Sequence, residues 1–272
     1  MSERPPIGTM LVLATLLAFA VTACATGGVP RGSERIGSPD PSVVSGTATA
    51  TGTPSPEPST ALSETSCQGI GGFEALPAGA ACWIEIATDD TPIRVRYTIP
   101  AAGWFAFIGS AKDIGEGSDA ERVGVLIADI WNLSTDACDQ QSALMPPVGP
   151  TVEDLAVALT QLPPFEVTSP PAEITSFGYS GTHLQLRIPH DQPFDEESRT
   201  FDGCIDGVLA SWKSPPLNPA FYGYVAPGDT EDFWILDVEG TRVVIAALAT
   251  ANASDELIAE QRAVLDSIVI EP

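Results

Sequence analysis

Residues 230–249 read TEDFWILDVEGTRVVIAALA and decide the fold more clearly than any other stretch of the chain. Two apolar-rich runs, TEDFWILDV and TRVVIAALA, flank the pair Glu239-Gly240. A glycine supplies the positive φ that a two-residue hairpin turn demands. The stretch therefore predicts two antiparallel strands joined by a tight turn.

Other strands are predicted where apolar residues alternate with polar ones, a period typical of a sheet with one solvated face. Residues 91–100 and 181–189 alternate in this way, with the apolar positions Ile93, Val95, Tyr97, Ile99, Leu184, Leu186 and Ile188. Residues 104–110 (WFAFIGS) and 122–131 (RVGVLIADIW) are more continuous apolar runs. Each of these two runs predicts a more deeply buried strand.

Two helices are predicted from a change of period. Residues 151–154 (TVED) resemble a capping box, and apolar residues then recur at helical spacing until Pro163-Pro164 ends the pattern. The last helix begins near Asn252 or Ser254, and its apolar residues share one side: Leu257, Ile258, Val264, Leu265 and Ile268. We therefore expect an α+β domain, an antiparallel sheet of roughly seven or eight strands with two main helices packed on it, one of them C-terminal.

The chain begins with the features of an export signal. Arg4 precedes an apolar run, residues 10–21, whose length suits the hydrophobic region of a signal peptide. The run is shorter than the roughly 20 apolar residues that cross a bilayer as a helix. Residues 1–23 are therefore predicted to be a signal peptide that directs the domain out of the cytoplasm.

The sequence Val21-Thr22-Ala23-Cys24 resembles the lipobox of bacterial lipoproteins. The resemblance implies that the mature chain begins at Cys24 and that its thiol carries a diacylglycerol with fatty acids such as palmitate. A lipid at that position would hold the protein on the outer face of the cytoplasmic membrane. An ordinary signal peptide, with Cys24 left as a free thiol, is the alternative, and the cysteine count favours the lipoprotein.

Removal of Cys24 from the five cysteines leaves an even set: Cys67, Cys82, Cys138 and Cys204. In an oxidising compartment four cysteines are expected to form two disulfides, with three connectivities that the sequence does not separate. We favour Cys67–Cys82 with Cys138–Cys204 because local pairing is the simplest arrangement. Zinc is the rival interpretation, and it is weak because the chain has no C-x-x-C spacing and only two histidines.

Residues 24–66 are rich in Ser, Thr, Pro and Gly and contain no aromatic residue, so they cannot bury enough surface to order themselves. They are predicted to be a disordered, lipid-anchored linker, with O-linked sugars as an alternative to a plain spacer. Residues 67–272 form the predicted globular domain, which is braced by the disulfides and has a length that suits one domain.

The formal net charge is −24, from 36 acidic and 12 basic residues. Such a surface repels nucleic acid and anionic lipid headgroups, so nucleic acid is excluded as a partner through charge. Attachment to the membrane must then come from the lipid anchor at Cys24. The remaining partner classes are a protein, an envelope component and a small ligand.

Several blocks of the domain resemble a family of uncharacterised secreted lipoproteins from actinobacteria and their relatives. The blocks are TVEDLAVAL (151–159), GYSGTHLQLRIP (178–189), Cys204 with the following Trp212, and residues 227–249 ahead of LDSIVIEP. The resemblance implies a shared fold and localisation, and it carries no activity and no catalytic residue. The order of helix and sheet also resembles, more distantly, the Mog1/PsbP-type α/β sandwich.

Histidine is the usual base at neutral pH, and the chain has two, His183 and His190. His183 falls on the polar side of its predicted strand, which favours a solvent-exposed strand residue. His190-Asp191 follows Pro189 in a loop, but no serine or cysteine nearby has the setting of a nucleophile. An extracytoplasmic hydrolase is therefore an alternative prediction, ranked behind a non-enzymatic domain.

The loop 190–207 gathers acidic residues whose spacing does not match an EF-hand, so a solvated loop is favoured and no metal or cofactor is predicted. Aromatic residues in loops are better candidates for recognition. Phe221, Tyr222 and Tyr224 occur in a proline-flanked segment and, with His190, are the predicted binding residues. The predicted function is a lipid-anchored binding or accessory domain, and a sensory lipoprotein that feeds a membrane regulator is a further alternative.

Overall fold

The computed structural model of the chain describes residues 64–67, 75–88, 91–115, 120–214 and 226–272, all within the compact unit Glu57–Pro272. The predicted signal peptide, the lipidation site Cys24 and most of the linker lie outside the described residues, as do Phe221, Tyr222 and Tyr224. Neither of the α-helices within these ranges is long and apolar enough to cross a membrane.

The described ranges contain sixteen strands and two α-helices. The first eight strands are β1 (Glu64–Ser66), β2 (Ala75–Leu76), β3 (Ala81–Ile86), β4 (Ile93–Thr98), β5 (Trp104–Ala106), β6 (Gly109–Ile114), β7 (Glu121–Ala128) and β8 (Asn132–Leu133). The others are β9 (Glu166–Ser176), β10 (Tyr179–Arg187), β11 (Phe194–Asp195), β12 (Thr200–Phe201), β13 (Trp212–Lys213), β14 (Thr230–Val238), β15 (Thr241–Ala249) and β16 (Val269–Glu271). The helices are α1 (Val152–Thr160) and α2 (Asp255–Asp266).

The main sheet has eight strands in the order β2-β5-β6-β7-β15-β14-β10-β9, and all neighbours are antiparallel. A smaller sheet has the order β1-β3-β4-β16, in which β1 pairs with β3 in parallel. The pairs β11-β12 and β13-β8 form two minimal sheets. The α+β prediction therefore fits broadly, and the eight strands of the main sheet agree with the seven or eight that were predicted. The smaller sheets were not predicted as separate sheets, because strands of two or three residues are too short to show an alternating pattern.

The main sheet lies between two hydrophobic cores, because its residues alternate between its faces. Along β15, Val244 and Ala246 join one core, whereas Val243 and Ile245 join the other. The first core, here called the α1 core, includes the buried residues of α1: Leu155, Ala156 and Leu159. The second, the α2 core, includes Leu257 and Val264 of α2 and the inward residues of the small sheet. The two helices thus belong to opposite faces of the main sheet.

The predicted hairpin turn is confirmed. Glu239 and Gly240 have φ of 53° and 86°, the pair of positive values that a two-residue turn of this kind uses.

The capping box of α1 is also present. The Thr151 side chain accepts a hydrogen bond from the Asp154 backbone at 3.1 Å, and the Asp154 carboxylate accepts one from the Thr151 backbone at 3.1 Å. The second helix begins after Ser254, one of the two predicted N-caps.

The run WFAFIGS (104–110) was predicted to be one strand, and this was wrong. It is a hairpin that contains the whole of β5 and the first two residues of β6. Ile108 and Gly109 both have positive φ, 46° and 131°, and turn the chain back on itself. A Cβ at Gly109 would lie 2.2 Å from the Val125 carbonyl oxygen, so only glycine fits there. The apolar run concealed the turn because this turn is buried: Ile108 is 3% exposed.

The edge strand β9 was not predicted. It contains Pro170 and Pro171, and most of its residues are exposed, so it shows no alternation between apolar and polar positions. Its pairing with β10 is interrupted by register shifts on either side of Gln185. Prolines and bulges are common at sheet edges, where a missing backbone donor costs no ladder hydrogen bond.

Two disulfides join Cys67 to Cys82 and Cys138 to Cys204, the pairs favoured from the sequence. Disulfides form in oxidising compartments, which agrees with an extracytoplasmic location. The strand β1 lies within the segment predicted as linker, so ordered structure begins before Cys67. It is held there by its pairing with β3 and by a 3.0 Å ion pair between Glu64 and Arg96.

Candidate binding cavity

A cavity of about 490 Å³ lies beside His190 at one end of the main sheet. Its walls come from the segments where β10 and β15 end and where β7 and β14 begin, together with the hairpin β11-β12. The polar residues that line it are His190, Gln192, Glu196, Arg199, Asp229, Thr250 and Asn252. The apolar ones are Ala120, Phe194, Ala226, Pro227 and Ala251.

His190 is positioned by a turn and by a glycine. The Gln192 backbone N–H donates to the Pro189 carbonyl at 3.1 Å, which closes a turn around His190. The imidazole packs on Gly228, where an added Cβ would lie 2.6 Å from His190 Cε1. Gly228 has φ of 87°, so glycine is required there both by the backbone and by the ring.

Asp229 forms a buried carboxylate in the wall of the cavity and is only 2% exposed. Its Oδ2 accepts a hydrogen bond from the Ala226 backbone N–H at 3.0 Å, and its Oδ1 accepts one from the Ala251 backbone N–H at 3.2 Å. A carboxylate that accepts backbone N–H bonds on two sides is fixed in place. Asp229 therefore ties the start of β14 to the end of β15.

The opposite wall is fixed by bonds between the end of β15 and the start of β7. The Thr250 hydroxyl accepts a 2.9 Å bond from the Arg122 backbone N–H, and the Thr250 N–H donates to the Arg122 carbonyl at 2.9 Å. The Ser254 N–H donates to Glu121 at 2.8 Å. Hydrogen bonds from the side chain and backbone of Ser254 hold the pKa of Glu121 below its ordinary value.

The hairpin β11-β12 presents Glu196 and Arg199 to the cavity, and its own contacts fix its shape. The rings of Phe194 and Phe201 lie 5.0 Å apart, with Phe201 buried. Asp195 Oδ1 accepts hydrogen bonds from the backbone of Ser198 at 3.1 Å and of Glu197 at 2.8 Å. These bonds hold the pKa of Asp195 below its ordinary value, so the turn carries an ionised cap at neutral pH.

The cavity suits a hydrophilic ligand of small-molecule size. Its volume is within the range of about 300–1,000 Å³ usual for ligand pockets. Its lining mixes donors and acceptors with carboxylates and one guanidinium, and it offers no continuous apolar wall for an acyl chain. Hydroxyl, amide and amine groups of a ligand would each find a partner.

The cavity lacks the nucleophile of a serine or cysteine hydrolase, since neither residue type is among the described residues that line it. In the described part of the chain, no hydrogen bond joins the His190 ring to Asp191. Within those same ranges, no group of three histidine, cysteine or acidic residues is placed to hold a metal ion.

A second polar group, here called the His183 network, lies on the face of the main sheet that also forms the α2 core. It consists of His183, Gln185, Asp232 and Thr168, with Trp234 beside it. His183 was expected to be a simple exposed strand residue, and this was wrong. Its side chain is 24% exposed and its Nε2 lies 2.9 Å from Asp232 Oδ1.

The other large aromatic residues divide between core and surface. Trp104 and Trp212 are fully buried, and Trp212 Nε1 donates to the buried carboxylate of Glu231 at 3.0 Å. Trp131 is 39% exposed and does not line the cavity. Of the four predicted binding residues, the structure places only His190 at a cavity, because the other three lie outside the described residues.

No family model matches the chain, and no curated protein matches it. Among solved structures, the chain matches the crystal structure of LpqN, described as involved in cell envelope biogenesis of Mycobacterium tuberculosis. The match has 14% sequence identity, covers 73% of this chain and 91% of that chain, and has a TM-score of 0.27. A likeness with that TM-score supports no conclusion about the fold or function of this chain.

Proposed function

We propose that this chain is an extracytoplasmic binding protein, tethered to the membrane through a lipid on Cys24, whose domain takes a small hydrophilic ligand beside His190. The observation that carries the proposal is the cavity at the shared end of β7, β15, β14 and β10. Two disulfides support the extracytoplasmic location. The tether rests on the lipobox-like sequence around Cys24.

The cavity is supported by a rigid frame, which favours binding over a loose surface crevice. Asp229 and Thr250 join three of the four strand ends by hydrogen bonds to backbone groups. A frame of this kind reduces the entropy that a protein loses when it orders a ligand site. The ligand would bind against side chains that project from this frame, His190 and Gln192 from one side and Asn252 from the other.

The polar lining favours a ligand with several hydrogen-bonding groups, such as a building block of the cell envelope. A lipid tail is disfavoured because polar side chains would lose their hydration without gaining partners. A strongly anionic ligand is disfavoured because Glu196 and Asp229 outnumber the single Arg199 in the lining.

The test is binding of glucose, N-acetylglucosamine and muramyl dipeptide to the full chain, measured by saturation-transfer NMR, with glycerol phosphate as the strongly anionic compound that should not bind. The variants His190→Ala and Gln192→Ala alter the lining, and Gln141→Ala changes an exposed glutamine away from the cavity. Loss of a bound probe in both cavity variants, with binding kept in Gln141→Ala, supports the proposal. If no probe binds, or if the cavity variants bind as the unaltered chain does, the proposal is wrong.

A further inference from the structure

We propose that the open sheet face around the His183 network is a second binding site, one that takes a neutral oligosaccharide. The site is formed by β9, β10 and β14 and is separate from the His190 cavity, none of whose lining residues it shares. The inference does not depend on the proposed function of the cavity.

The network is held in one geometry by a carboxylate between two strands. Asp232 on β14 accepts a bond from Gln185 Nε2 on β10 at 2.8 Å, and its other oxygen lies 2.9 Å from His183 Nε2. Thr168 on the edge strand β9 donates to Gln185 Oε1 at 2.7 Å. Three strands are therefore joined through side chains on one face, and these polar groups are oriented before any ligand arrives.

The bonding of Asp232 also fixes which groups are offered to a ligand. An ionised carboxylate only accepts hydrogen bonds, so His183 Nε2 carries the proton that Asp232 receives. The other ring nitrogen, Nδ1, takes no part in this bond. The network thus offers a ring nitrogen and a carboxylate acceptor within reach of each other, and the vicinal hydroxyl groups of a sugar ring can bond to both.

Aromatic rings continue the site beyond the polar groups. The Trp234 ring lies 5.0 Å from the His183 ring, and Phe177 meets Trp234 edge-on at 6.2 Å. Trp234 is half-buried, and in the described part of the chain its indole N–H has no hydrogen-bond partner. Half-exposed Trp side chains provide an apolar surface together with a polar group, and the C–H face of a pyranose packs against such a surface.

The charges on this face select a neutral ligand. Arg187, the cation on the same side of β10, is paired with Glu166 at 2.6 Å and so is not left to attract an anion. Asp232 adds a negative charge, and the whole chain has a net charge of −24. Anionic glycans would therefore be repelled. A protein partner would need a desolvated apolar centre, whereas the centre of this face is a hydrogen-bonded polar group.

The experiment measures binding of cellotetraose, chitotetraose and the anionic polygalacturonate to the full chain by isothermal titration calorimetry. We expect at least one neutral tetrasaccharide to bind and polygalacturonate not to bind. Gln185→Ala should weaken the binding about tenfold, which corresponds to about 1.4 kcal/mol and lies within the range that one hydrogen bond contributes. Trp234→Ala should abolish binding, and Trp234→Phe should retain part of it.

The variant Gln141→Ala serves as the matched control, because it removes an exposed glutamine side chain outside both this face and the cavity, and it should bind as the unaltered chain does. A thermal unfolding curve for each variant identifies any that fails to fold, and Gln185→Ala keeps the test valid if Trp234→Ala is one of them. Failure of both neutral tetrasaccharides to bind, tighter binding of polygalacturonate, or unchanged binding in Gln185→Ala each overturns the proposal. None of these results bears on the His190 cavity.

Discussion

The indole Nε1 of Trp104 donates a 2.9 Å hydrogen bond to the carboxylate of Glu260, and this bond connects β5 to α2. Lys112 on β6 donates to both oxygens of the same carboxylate, at 2.9 and 2.8 Å. The side chains of Lys112 and Glu260 are only 12% and 18% exposed. A single acidic side chain therefore fastens the C-terminal helix to the hairpin β5-β6.

Replacement of Lys112 by Met should lower the free energy of unfolding by about 1–3 kcal/mol, because Glu260 loses its charged donor while it stays largely buried. Urea unfolding at neutral pH measures the change. Arg187→Met breaks a more exposed pair with Glu166, at 35% and 47% exposure, and should cost no more than about 1 kcal/mol. If the two variants lose equal free energies of unfolding, burial is not the reason that the Lys112–Glu260 pair contributes more to stability.

Gly228→Ala should destabilise the fold more than Gly178→Ala. The two glycines have nearly equal φ, 87° and 89°, so both changes introduce the same backbone strain, of about 1 kcal/mol. An added Cβ at Gly178 meets nothing within 4 Å, whereas at Gly228 it lies 2.6 Å from the His190 ring and 3.0 Å from the Ala251 Cβ. The difference between their melting temperatures therefore reports the crowding of the new methyl group against these two side chains.

The same pair of variants tests how the cavity is formed. Only Gly228→Ala should shift the NMR signals of the His190 imidazole, since only there does the new methyl group displace the ring. An unshifted His190 in Gly228→Ala would show that the ring does not pack on Gly228.

Asp154→Asn should make the free energy of unfolding depend less steeply on pH in the acid range. Hydrogen bonds from the Thr151 side chain and backbone lower the pKa of Asp154 in the folded chain. Its contribution to stability is therefore complete above the unfolded pKa of about 3.9, and it is lost as the pH falls through the lower folded value. Between pH 5 and about pH 2 the urea midpoint of the variant should fall less steeply than that of the unaltered chain.

Glu153→Gln provides the comparison for that experiment, because Glu153 lies in the same first turn of α1 but outside the capping box. Its acid profile should follow that of the unaltered chain. If both variants flatten the profile alike, the effect comes from the charge of the first turn in general and not from the capping box.

Replacement of both Cys138 and Cys204 by Ser should lower the free energy of unfolding by about 4 kcal/mol, from the chain entropy of the loop that this disulfide closes. The matching change at Cys67 and Cys82 should cost about 3 kcal/mol, because that loop is shorter. The separations along the chain are 66 and 15 residues. Equilibrium unfolding of the two double variants shows which one loses more stability. A larger loss for the Cys67/Cys82 variant would rule out loop length as the main cause of the difference.

The parts of the fold that could be predicted are those fixed by neighbours along the chain. The turn at Glu239-Gly240, the cap at Thr151 and the alternation around Val95 each depend on a few adjacent residues. The turn at Ile108-Gly109 could not be recognised, because its backbone is set by contact with Val125 on another strand. Likewise, the strand β9 is set by its pairing with β10 and not by its own composition.

In the candidate sites, too, some features depend on neighbours along the chain and others on contacts with distant strands. His190 could be singled out because histidine is rare in this chain, but its setting depends on Gly228, which lies ahead of another strand. The partner of His183 depends on the register of β10 against β14, which places Gln185 opposite Asp232. A sequence pattern indicates on which face of a sheet a side chain lies. Only the register between strands determines which other side chain lies next to it on that face.

The prolines of the edge strand β9 affect whether two copies of the protein associate at high concentration. An unpaired sheet edge can recruit a strand from a second molecule and so start a fibril. Pro170 and Pro171 have no N–H group, and they lie near the middle of the strand. Because successive N–H groups of a strand point to opposite sides, an incoming strand finds one central donor missing. The longest edge of the main sheet is thus a poor template for polymerisation, and crowded copies of the protein can remain separate molecules.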